Sequence, residues 1–133
     1  MKPSTITIIS LIVAGGLIGW AFFSTQSAAS WDPNIGPSEN VNEVNGVQYI
    51  DISAKGGYSP RLTYAKSGIP TILRIETRNT FDCSTSLVMP SLNYRKILSP
   101  SGIEEIELPP QKAGTSQKGL CSMGMYGFEV RFN

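Results

Sequence analysis

The 133-residue sequence predicts an all-β sandwich domain preceded by one N-terminal transmembrane helix, on three observations. Short runs rich in β-branched and aromatic residues recur after Gly46, separated by Gly- and Pro-containing turns at the spacing of roughly 8–12 residues that sandwiches and barrels show. An uncharged stretch from Thr5 to Phe23 precedes them. No strand–helix–strand alternation and no internal repeat interrupts the pattern.

The N-terminal stretch, TITIISLIVAGGLIGWAFF, would span about 28 Å as a helix, close to one hydrocarbon core. Lys2 and the terminal amine are the positive charges on its first side, so residues 1–4 are expected in the cytoplasm and 5–23 in the membrane. The domain that follows is then extracytoplasmic, on a single-pass protein of the cell membrane. A cleaved signal peptide is the competing reading, since Ser27 and Ala29 are small residues spaced like a cleavage site. Both readings export the domain. Residues 24–46 turn to Ser, Asn, Pro, Gly and Glu without hydrophobic periodicity and are expected to be a flexible linker.

The globular part is expected over residues 47–133. In VQYIDIS, Gln48, Ile50 and Ile52 share one face, and Val47, Tyr49 and Asp51 the other. Arg61 to Lys66 is a second run, PTILRIET buries Leu73 and Ile75, and IEEIEL is a further strand. The C-terminal GFEVRF alternates Phe128, Val130 and Phe132 with Glu129 and Arg131 and is the clearest strand in the chain.

Composition excludes several functions. The chain has no His, which removes the usual general base and the commonest imidazole ligand. The formal net charge is +1 and no dense Lys/Arg run exists, so nucleic acid is not an expected partner. What remains is sulfur. In CSMGMY, Cys121, Met123 and Met125 stand at alternate positions, and alternate residues of an extended segment project the same way, about 6–7 Å apart. Gly124 frees the backbone to curl, and the unbranched Met side chain can swing its thioether inward. Cys83, in TFDCSTS, lies 38 residues earlier, where a neighbouring loop can bring it to the same end. Thiolate and thioether together select Cu(I). The competing reading of the two cysteines is an ordinary disulfide in an exported domain. Met89, in LVMP, is read as core.

From Val47 to Asn133 the residues resemble the cupredoxin-like domains of bacterial membrane-anchored copper proteins, on GGYSP, AKSGIP, DCSTSLVMP, SPSGIEEIELPP and, most specifically, CSMGMYGFEV. The ligand set is similar to that of the Cu(I) chaperones of Gram-positive bacteria, which pass Cu(I) to a copper-exporting P-type ATPase. The resemblance implies a Greek-key β-sandwich, metal ligands at Cys83, Cys121, Met123 and Met125, one or two Cu(I) ions, and no enzymatic activity. It departs from the electron carriers of the same fold, because both His ligands of a blue-copper centre are missing. A copper-delivery factor for cuproenzyme assembly is the alternative use of the same residues, and a disulfide-locked interaction module the alternative without metal.

Overall fold

The computed structural model describes residues 35–133, and these form a sandwich of two five-stranded sheets. The expected cytoplasmic segment 1–4, the membrane segment 5–23 and the first part of the linker lie outside the described residues. Among the described residues no helix is long and apolar enough to cross a membrane.

The first sheet contains β1 (Val41–Val44), β2 (Val47–Ala54), β5 (Thr71–Thr77) and β8 (Gly102–Leu108) in that order, with β3 (Tyr58–Ser59) paired to β2. The second has the order β4 (Leu62–Ala65), β10 (Gly127–Phe132), β9 (Ser116–Cys121), β6 (Ser86–Met89) and β7 (Tyr94–Ile97). Two pairings, β2 with β5 and β4 with β10, are parallel, and the others are antiparallel.

The pleat explains the core. Gln48, Ile50, Ile52 and Ala54 of β2, Leu73 and Ile75 of β5, and Phe128, Val130 and Phe132 of β10 all point inward at alternate positions. Met89 is fully buried, as the sequence predicts. Gln48 is admitted because its amide satisfies the backbone of Lys66: Oε1 accepts from that N–H at 2.8 Å, and Nε2 donates to that carbonyl at 3.2 Å and to Thr71 Oγ1 at 3.0 Å.

The structure corrects the linker boundary. Val41–Val44, inside the stretch 24–46 expected to be flexible, is strand β1, joined to β2 by Asn45 and Gly46 with φ of 51° and 77°. Asn-Gly with both residues left-handed is the two-residue hairpin turn whose twist matches its flanking strands. Upstream, Ser38 bonds Tyr64 through its backbone and its hydroxyl, and Asn40 bonds Asp51 and Thr63.

β9 was illegible because its inward positions are Gln117, Gly119 and Cys121 while Leu120 faces out. Gly119 leaves room for the Phe128 ring of β10: a Cβ there would stand 2.2 Å from the ring. That ring is held edge-on to Tyr58 at 5.1 Å, so it cannot move aside freely. Gly119→Ala is therefore expected to destabilise the domain by about 1–3 kcal/mol through overpacking. Urea unfolding of the two proteins checks it: the midpoint falls, whereas an unchanged midpoint would show that the ring has another place to go.

Candidate metal centre

Cys121 is the last residue of β9, and its placement follows from the sheet. It faces Leu87 of β6 on one side, while β10 pairs with the body of β9 on the other, and its side chain turns into the sandwich, 1% exposed. Beyond it the chain reverses. Cys121 N–H donates to the Tyr126 carbonyl at 3.0 Å, Gly124 N–H donates to the Cys121 carbonyl at 2.8 Å, and Ser122 N–H donates to the Ser86 carbonyl at 2.8 Å. Gly124 has φ of 71°, a left-handed conformation that glycine adopts without strain.

The expected extended run through Cys121, Met123 and Met125 is thus a hairpin loop, and the sulfurs are not aligned along one face of a strand. The loop instead wraps Cys121. Backbone N–H groups of Tyr126, Met125 and Met123 lie near enough to its sulfur to lower its pKa. The Met123 and Met125 side chains are 76% and 65% exposed and stand outside the core.

Cys83 arrives from the first sheet. β5 ends at Thr77, and the chain crosses to β6 through a 3-10 turn, Cys83–Thr85, capped by Asp82, whose carboxylate accepts from Ser84 N–H at 2.8 Å. The turn lays the Cys83 thiol against Cys121, and both cysteines are free. The structure therefore brings the two cysteines near enough to shift each other's pKa and places both methionines in the loop that follows Cys121.

The pair is electrostatically unequal. The hydrogen bond to Cys121 raises the Cys83 pKa, with the Met123 N–H opposing. Burial pushes Cys121 up, but the bond from Cys83 and the N–H groups of Tyr126, Met125 and Met123 outweigh it, so its pKa falls below the ordinary thiol value. Cys121 is the sulfur that ionises first, with Cys83 donating to it. Asp82 is held below the usual carboxylate range by Ser84 side chain and backbone and by the Gly56 N–H.

Two free cysteines and two thioethers presented at one end of a sandwich constitute a soft donor set that can hold a closed-shell monovalent ion. Among the described residues no three His, Cys, Asp or Glu side chains converge, so a hard cation has no site built from those residues there. A cleft of about 500 Å³, between Val47, Pro70, Ile72 and Pro109, lies at the opposite end and contains no sulfur. The sequence reading missed Asp82, Ser84 and Tyr126. The Asp-x-Ser spacing of a capped turn was the signal for the first two.

Solved structures that share this fold include two copper-binding domains. One is the metal-binding domain of the Streptococcus pneumoniae D39 Cu(I)-exporting P-type ATPase CopA, with Cu(I): TM-score 0.62, 22% identity, covering 70% of this chain and 92% of that one. The other is a copper-binding protein in its apo form, solved by NMR, with TM-score 0.62, 22% identity, and coverage of 70% and 94%. No family model matches the chain, and no curated protein does.

The asymmetry of the thiol pair has a measurable consequence. Carbon NMR of labelled cysteine Cβ across a pH titration is expected to show two steps, the first below the ordinary thiol pKa and the second above it. Cys83→Ala removes the donor to Cys121, so the remaining step is expected to move upward. If it stays in place, the loop amides alone set the thiolate.

Proposed function

We propose that this chain is a Cu(I) chaperone of copper tolerance, which captures Cu(I) through Cys83, Cys121, Met123 and Met125 and passes it to a copper-exporting P-type ATPase. The observation that carries the reading is the proximity of two free cysteines beside a loop bearing two exposed thioethers. The topology is taken as the cupredoxin-like Greek-key sandwich, and the shared fold with an exporter's metal-binding domain supports a partner of that kind. The role is binding and transfer without catalysis.

Transfer proceeds by ligand exchange. The cysteines supply negative charge and form the tight end of the site, while the neutral thioethers, standing in solvent, release first and let an incoming sulfur enter. Two ions fit this donor set, one held by the cysteine pair and a second bridged by a thiolate to the methionines. The first described residue lies at the end of the domain away from the sulfur-bearing loop. Ile35 accepts a bond from the Asn133 side chain at 2.7 Å, beyond the end of β10, whereas the loop lies at its start, about 17 Å away by strand rise. In this reading residues 5–23 anchor the chain and the domain lies outside the cell membrane.

Anaerobic Cu(I) titration followed by native mass spectrometry tests this. Wild type is expected to take two ions, Met123→Leu with Met125→Leu to keep one tight ion, and Cys121→Ser to keep none against a chelator. The Met-to-Leu exchanges nearly conserve volume and leave the fold intact. Tight retention by Cys121→Ser would overturn the assignment, and a double Met variant indistinguishable from wild type would reduce the site to the cysteines.

A further inference from the structure

The segment Gly56–Tyr58 touches both pieces of chain that present sulfur. Toward Cys83 it bonds the residues on either side of that ligand. Gly56 N–H donates to Asp82 Oδ2 at 2.9 Å, Gly57 N–H donates to Ser84 Oγ at 2.8 Å, and the Tyr58 hydroxyl donates to the Ser84 carbonyl at 2.9 Å. Ser84 completes the set by donating its hydroxyl to Asp82 Oδ1. Toward the other ligands, Gly57 lies under the ring of Tyr126 in the covering loop, where a Cβ would stand 3.5 Å from Tyr126 Cδ1. Tyr58 packs edge-on against Phe128, just beyond that loop.

Two consecutive amides can aim at one turn because Gly56 and Gly57 have φ of 61° and 119°, the second of which L side chains rarely adopt. Three residues of one hairpin therefore fix the Cys83 turn and the Cys121–Tyr126 loop against each other. None of their atoms belongs to the sulfur set.

We propose that Gly56, Gly57, Tyr58 and Asp82 are positioning residues that hold Cys83 at Cys121 before the ion arrives, so that Cu(I) is bound without rearrangement of either loop. The proposal rests on the Cu(I) reading of the sulfur site. It assigns the GGY motif and Asp82 to the strength and speed of metal exchange, and not merely to the fold.

Two single-group changes test it in the 133-residue chain. Asp82→Asn puts an amide donor or loses an acceptor opposite the Gly56 N–H, and Tyr58→Phe deletes one hydroxyl while keeping the ring on Phe128. Asp51→Asn weakens the bidentate Arg74 pair on the outer face of the first sheet and serves as the stability control. Thermal unfolding, chelator competition for Cu(I), and the rate at which diamide joins Cys83 to Cys121 in the copper-free chain are measured for each. In that last reaction the thiols yield two electrons and two protons to the reagent.

Asp82→Asn and Tyr58→Phe are expected to weaken Cu(I) about 10–100-fold, the usual cost of losing a group that orients a ligand, and to slow disulfide formation. Asp51→Asn is expected to change neither. Wild-type affinity and disulfide rate in both variants would overturn the proposal, and if Asp82→Asn does not fold, Tyr58→Phe decides alone. A wild-type chain that takes no Cu(I) would overturn the copper reading, and the disulfide rates would then show by themselves whether the segment holds the two cysteines together.

Discussion

Cys121 is held by the register of a strand that is paired on both edges, and the candidate centre is arranged around that fact. β10 aligns Gly119 opposite Phe128, β6 aligns Leu87 opposite Cys121, and the period of two then leaves the sulfur no direction but inward. A slip of one residue would expose Cys121 and bury Leu120 and Lys118 in its place. Because the strand stops there, the next five residues have to turn back to β10, and the amides of Met123, Met125 and Tyr126 lie near enough to the sulfur to lower its pKa.

A proposed metal ligand inside a sandwich has to be reconciled with burial, and sulfur makes this inexpensive. A thiol is among the side chains most often buried, so Cys121 costs little as an acid, while the neighbouring thiol and the loop amides lower its pKa. Cys83 supplies that neighbour from the other sheet's connection. The thioethers stay outside, where a partner can meet them. Phe81, 83% exposed, precedes the Cys83 turn and adds a further apolar group to the connection from β5 to β6. Tyr58 remains a donor throughout, since burial first and then Cys121, Cys83 and Asp82 push its hydroxyl well above the ordinary phenol value.

What was readable in the sequence follows the alternation of side chains. β2, β5 and β10 put Ile, Leu, Val and Phe inward, and the periodicity shows it directly. β9 inverts the rule, with Gln117, Gly119 and Cys121 inside, and β6 and β7 are only four residues long. β1 escaped notice because three of its four residues are exposed, although Asn45-Gly46 announced the hairpin. At the centre, residue types carried the chemistry and not the geometry. Soft donors and the missing His pointed to Cu(I), while the hairpin path of CSMGMY and the docking of the Cys83 turn depend on contacts between segments that no local pattern contains.

The central claim is that these sulfurs, with no other donor type, form the copper site. X-ray absorption at the copper edge, on the 133-residue chain loaded with Cu(I) and desalted without oxygen, measures the atoms around the metal directly. The account predicts sulfur neighbours alone, at a low coordination number, with the thioether share lost when Met123 and Met125 are both Leu. Nitrogen or oxygen neighbours around the metal, or copper that washes away on desalting, would contradict it.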